Sequence, residues 1–199
     1  MLPLRTETSR RLQGARVALL AATGVHDHEF WVPYYRLREE GAQVLVCGFR
    51  KGDVYAGEGV NGKDGPPLAP ADAAIAQVRA GSLDALVIPG GIYGPLAFRA
   101  HEPALRLVRA MDRAGKVIAS ICHGPWVLAS AGILRGRKVT SPRDIAVDMT
   151  NAGARWINQK VVCDRNLITA VYFGFLPEFL QAVIAAIERQ RRARQGGDA

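Results

Sequence analysis

The segment Ala119-Ser120-Ile121-Cys122-His123-Gly124-Pro125 places a thiol between a small apolar run and a proline of the kind that opens helices. One small residue stands two places before the cysteine and another two places after it. That is the steric pattern of a nucleophile elbow, a turn so tight that only small neighbours fit, which lifts its nucleophile above the carboxyl edge of a sheet. The helix that follows such a turn supplies partial positive charge and free N–H groups, so an unusually acidic thiol is expected at Cys122. A free cysteine is more often a small buried hydrophobe, but an elbow presents its side chain instead of burying it. His123 is the candidate general base of a Cys–His pair, although neighbouring side chains at a helix start diverge. Cys47 and Cys163 lie within apolar runs and read as core.

Three widely spaced cysteines fit neither a disulfide framework nor a CxxC metal site, and are expected to be reduced thiols. His26 and His28 flank Asp27 just before Glu29, but no supporting ligand pattern accompanies them, so neither metal nor cofactor is expected. The run Gly57-Glu58-Gly59-Val60-Asn61-Gly62 spells G-x-G-x-x-G. A working dinucleotide fingerprint joins a buried strand to a helix, whereas Asn61-Gly62 and Asp64-Gly65 signal turns and Pro66-Pro67 blocks an immediate helix. A nucleotide is therefore not expected there.

The elements that must position these residues read as alternating strands and helices. Val17 to Ala22 is a short, continuously apolar run, as in a strand buried on both faces of a parallel sheet. Glu29 to Glu40 has helical spacing and stops at Gly41, and a second buried strand follows at Gln43 to Gly48. Strand, helix and strand in this span make a βαβ unit. Downstream come a strand at Leu86-Val87-Ile88, a helix near Pro103 to Ala114, the strand Lys116 to Ile121 and the helix after Cys122. A short strand at Lys138-Val139-Thr140 and a helix around Ile145 to Ala152 follow. Strands at Lys160 to Cys163 and Leu167 to Val171 and a closing helix from Pro177 to about Arg189 complete the pattern of a doubly wound α/β sandwich.

With 199 residues, 49% of them hydrophobic and 22% charged, the chain suits one soluble globular domain. Residues 1–14 read as an N-terminal extension, 15–190 as the domain and 191–199 as a basic flexible tail. The formal charge of +8 owes much to arginines near the ends, such as Arg10, Arg11, Arg191, Arg192 and Arg194. No helix-turn-helix, zinc-finger or aromatic-stacking pattern turns that charge into specific nucleic-acid readout. No apolar run reaches the length of a membrane span, and the first residues lack a signal peptide's apolar stretch. A cytoplasmic location is expected.

Three stretches, Ile88-Pro89-Gly90-Gly91, Ala119 to Pro125, and Asn151-Ala152-Gly153-Ala154, closely resemble the PfpI family of the ThiJ/PfpI superfamily, which has a class I glutamine amidotransferase-like fold. The match spans roughly residues 15 to 188 and takes in Glu29 to Leu37 and Leu134 to Val139. The resemblance implies a flavodoxin-like core, an oxidation-prone cysteine and self-association as a homodimer. Members include stress proteins, intracellular peptidases and glyoxalase- or deglycase-type enzymes. It also implies that Glu29 is the carboxylic acid facing the cysteine sulfur, protonated in a partly dry pocket. Gly91 and His123 would offer their backbone N–H groups as an oxyanion hole.

Departures from the family weigh on activity. Peptidase-like members carry an acid shortly after the Gly-Gly turn to orient the histidine, and Ile92-Tyr93-Gly94-Pro95 offers none. Pro142 stands where they have a tyrosine, and the Arg- and Asp-containing segment before the last helix is replaced by the apolar Ala170 to Leu176. A base without an orienting acid loses much of its power. The sequence therefore favours a redox-responsive stress protein in which small oxidants modify Cys122. The alternative is a cysteine hydrolase or a glyoxalase- or deglycase-type enzyme acting on small carbonyl compounds.

Overall fold

Short, continuously apolar segments build the central sheet, because each of its inner strands is covered on both faces. The computed structural model describes residues 10–196. Residues 1–9 of the expected extension and 197–199 of the expected tail lie outside the described residues. In chain order the first elements are β1 (Arg16–Leu20), α1 (Asp27–Glu39), β2 (Gln43–Gly48), β3 (Ala73–Ala74), β4 (Ala85–Ile88), α2 (Tyr93–Arg99) and α3 (Glu102–Arg113). They continue with β5 (Val117–Ile121), α4 (Pro125–Ala131), β6 (Lys138–Val139), α5 (Ala146–Asn151), β7 (Arg155–Trp156), β8 (Val161–Asp164), β9 (Leu167–Ala170) and α6 (Leu176–Gly196).

Seven strands form one sheet in the order β3-β2-β1-β4-β5-β9-β8. All pair in parallel except the edge strand β8, which returns antiparallel to β9. Helices α1 and α6 pack together over one face, and α2, α3 and α4 pack over the other. This is the doubly wound α/β sandwich read from the sequence. Parallel pairing has a functional consequence, since it brings the carboxyl ends of β1, β4 and β5 to one edge of the sheet. The strand order reverses between β1 and β4, and Cys122 follows β5 just beyond that switch point.

Two elements depart from the expectations. Helix α2 was hidden because Gly94 and Pro95 look like turn residues, yet Pro95 falls in the first turn, where a missing N–H is harmless. The basic C-terminus does not fray at 191, because α6 runs on to Gly196. Arg191 and Arg194 hold it by donating to the Asp84 carboxylate at 3.0 and 3.2 Å. Cys47 is buried, but Cys163 is exposed on the edge strand rather than in the core.

Candidate active site

Strand β5 ends at Ile121, and Cys122 then turns the chain with φ 59°, one of only two positive φ values among the described non-glycine residues. A left-handed cysteine costs about 1–3 kcal/mol and persists only where its surroundings enforce it. Here the Cys122 N–H donates to the Ala170 carbonyl at 3.0 Å, and the Gly124 N–H donates back to Ile121 at 2.9 Å. The small flanking residues are compulsory, since a Cβ on Gly124 would stand 2.5 Å from Ser120 Oγ and 2.7 Å from the Ile88 carbonyl. Elbow geometry is therefore written into residue size.

The sharp turn also solves the problem of diverging neighbours. Cys122 Sγ lies 3.2 Å from His123 Nδ1, and His123 Nε2 lies 3.0 Å from Asp144 Oδ2. A hydrogen on Nε2, donated to Asp144, leaves Nδ1 as an acceptor for the thiol proton. Asp144 precedes α5 in the Pro142-Arg143-Asp144 turn. The sequence offered no acid at the usual place after Gly-Gly, and the fold supplies one from elsewhere in the same chain. The Asp144 side chain is 64% exposed, so its pull on the imidazole is screened by solvent. The Trp126 ring centroid lies 4.9 Å from that of His123, and Trp126 Nε1 is anchored on Asp148 at 2.7 Å.

Glu29 is fully buried in the first turn of α1 and accepts the Gly90 N–H at 2.8 Å through Oε2. A Cβ on Gly90 would stand 2.5 Å from that oxygen and would also strike the Cys122 side chain, so only glycine separates the acid from the thiol. Its other oxygen, Oε1, has no hydrogen-bond partner among the described residues. Burial pushes the Glu29 carboxyl up to about 8, with the Gly90 N–H opposing and the charge of Glu58 assisting. At neutral pH Glu29 thus carries a proton.

The thiol behaves differently from the expectation of high acidity. Burial pushes Cys122 up, as would an ionised Glu29, while the backbone N–H groups of Gly91 and His123 pull it down and Glu58 adds to the rise. Helix α4 has only seven residues, too few for a strong dipole to overcome that burial. The neutral Glu29 removes its own share of the repulsion, and what remains is desolvation and the Glu58 charge against two N–H donors. Gly91 reaches its place with φ 81°, and a Cβ there would stand 2.7 Å from the His26 nitrogen.

The loop that spells G-x-G-x-x-G binds no helix. It doubles back across the sheet edge, with Val25 bridging Gly57 and Ala56 bridging Pro67. That path brings Glu58 into the site, where its Oε2 lies 3.9 Å from His26 Nε2 and the Ile92 N–H favours its charged form. His26 and His28 stack on Phe173 with centroids 4.7 and 5.6 Å away. No cluster of three metal-ligating side chains occurs among the described residues. The structure therefore brings Cys122, His123, Glu29 and Gly91 together, and adds Asp144 and Glu58. Sequence reasoning passed over both additions, since Asp144 carries no motif and Glu58 lay in a discarded one.

An α/β sandwich with a cysteine elbow at its carboxyl edge defines a class, and comparison places the chain within it. It belongs to the DJ-1/PfpI family, whose model matches residues 15–186. The deglycase PfpI of Pyrococcus furiosus is 37% identical over 173 residues, covering 87% of this chain and 99% of that protein. General stress protein 18 of Bacillus subtilis is 33% identical, covering 88% and 99%. Among solved structures, DJ-1beta of Drosophila melanogaster superposes with a TM-score of 0.80 at 28% identity, covering 92% of this chain and 97% of that one.

Proposed function

We propose that the protein is a cysteine-dependent deglycase of glyoxalase type, acting on adducts of small α-oxoaldehydes. The observation that carries this reading is the continuous line from Cys122 Sγ through His123 to Asp144, with contacts of 3.2 and 3.0 Å. A thiol held up by burial needs a base at the moment of attack, and His123 Nδ1 is in place to take its proton. As the sulfur adds to the carbonyl carbon, the carbonyl electron pair moves to oxygen, where the N–H groups of Gly91 and His123 receive the charge. Glu29, as a neutral acid, donates toward the sulfur or the adduct oxygen. The net reaction for a methylglyoxal adduct of an amine is R–NH–CH(OH)–CO–CH₃ plus water giving R–NH₂ and lactic acid. One carbon is oxidised and its neighbour reduced, so no external redox cofactor enters the balance.

The deglycases among the relatives support this reading over peptide hydrolysis. Lactate release from a methylglyoxal adduct tests it. Replacing Cys122 with Ala is expected to lower the rate by about 10³-fold or more, whereas lactate release undiminished in that variant would overturn it.

A second reading, redox response, is favoured by one observation: the protonated Glu29 beside the sulfur is placed to donate to a sulfinate oxygen. Two equivalents of peroxide would convert the thiol to the sulfinic acid with release of two waters, a mass gain of about 32 Da. Peroxide titration followed by mass spectrometry checks it, with a thiol that stays reduced as the contrary result. A cytoplasmic setting suits the three free cysteines, and no helix among the described residues is long and apolar enough to cross a membrane. A homodimer is the proposed assembly, for which the exposed Val32 and Tyr35 of α1 offer an apolar face; sedimentation at the monomer mass would refute it.

A further inference from the structure

We propose that Glu58 makes the mouth of this site selective for carbonyl adducts carried on a cation, an ammonium or guanidinium, over neutral or anionic carriers. The inference rests on the carbonyl chemistry proposed for Cys122 and names the carrier that chemistry would meet. The chain as a whole has a net charge of +8, yet the groups that face the sulfur have the opposite character. Of the two carboxyl groups that act on it, Glu29 is held neutral by burial, and Glu58 supplies the negative charge. Asp27 lies in the same first turn of α1, against Gly57, where a Cβ would collide with its carboxylate. The imidazoles of His26, His28 and His123 stand nearby. The loop's own Lys63 is turned away onto the Tyr93 ring, 3.9 Å from its centroid.

Glu58 has the placement a selector needs. It is 25% exposed, so a substrate arriving from solvent meets it. Its carboxyl is favoured in its charged form by the Ile92 N–H, one residue beyond Gly91, whose own N–H favours the thiolate of Cys122. A carbonyl bound at the Gly91 donor therefore has its non-reacting end beside the Glu58 carboxylate. Behind it, Glu29 Oε1 is buried in the site without a hydrogen-bond partner among the described residues, and in the neutral acid it is a donor left open toward the bound molecule. His26 Nε2, at 3.9 Å from Glu58, is too distant for a strong hydrogen bond and leaves the carboxylate free to meet a cation.

Three hemithioacetals of methylglyoxal share one reacting group and differ in charge: those of thiocholine, 2-mercaptoethanol and 3-mercaptopropionate. Partial exposure and salt screening set the expected preference in kcat/KM, cationic over anionic, at about tenfold in low salt, shrinking toward one at high salt. In Glu58→Gln the ratio should fall to about one; because it is read within each protein, any general loss of activity cancels. A second arm needs no turnover. In a Cys163→Ser background, Cys122 is modified with cationic and anionic methanethiosulfonates, each rate being referred to that of a free thiol. The cationic reagent should react about tenfold faster, and Glu58→Gln should erase the difference. Equal reagent rates in the wild-type site, or a ratio untouched by Glu58→Gln, would overturn the role of Glu58. If no hemithioacetal turns over while the reagent preference persists, the deglycase reading fails and the acidic mouth stands.

Discussion

The two ends of the parallel strands treat charge in opposite ways. At the amino end, carboxylates are met by arginines: Asp84 receives Arg191, Arg194 and the Arg16 N–H, and Glu188 receives Arg11 and Arg192. Toward β8, the buried Arg137 donates to Asp112, Asp164 and Asn166. At the carboxyl end, Glu29 has one hydrogen bond and no cation, and Glu58 has no ion-pair partner among the described residues nearer than the His26 imidazole at 3.9 Å. Of the seven buried side-chain polar atoms without a partner among the described residues, four lie here, on His26, Asp27, Glu29 and Ser120. Apart from single atoms of Arg16, His101 and Gln190, the buried side-chain polar groups that hold the fold are satisfied among the described residues. Those around the thiol are left open, which costs stability and keeps them available for a substrate.

The largest effect should come from breaking the satisfied side. Arg137→Ala strands the carboxylates of Asp112 and Asp164 and is expected to cost about 3–5 kcal/mol in denaturant unfolding, while the rate per folded molecule is unchanged. Glu29→Gln should act in the opposite sense and with pH. Because folding raises the Glu29 carboxyl from 4.5 to about 8, the folded state binds this proton more tightly, and its stability falls as pH rises through that window. The variant's stability should therefore gain on the wild type between those limits, by on the order of 4–5 kcal/mol over the whole range, as urea midpoints at successive pH values would show. Gly91→Ala forces a Cβ into the His26 backbone at positive φ; a loss of about 2–3 kcal/mol is expected together with loss of lactate release. Asp144→Asn is the mildest change. Its exposed position sets a loss of about 10–100-fold in kcat, with unfolding moved by less than about 0.5 kcal/mol.

Legibility in the sequence follows the same division. Apolar runs such as Gln43–Gly48 and the small residues around Cys122 announce themselves, because burial and steric exclusion act on residue type over short spans. The redox-first reading came from a missing acid beside Gly91, and Asp144 reverses that premise from 21 residues beyond His123. Glu58 was invisible for a related reason: its loop has no regular period, and only the bridge from Val25 to Gly57 carries it over the sheet edge. The acidity of Cys122 was misjudged because an elbow fixes where a thiol points and says nothing of how much water is left around it.

The most direct test of this division is the protonation of Glu29, read by difference infrared spectroscopy between the wild type and Glu29→Gln. A buried carboxylic acid carbonyl band should be present in the wild type at neutral pH, absent in the variant, and bleached as pH rises past about 8. A carboxylate signature for Glu29 at neutral pH would contradict the account, because an ionised acid beside the thiol would oppose the nucleophile instead of supporting it.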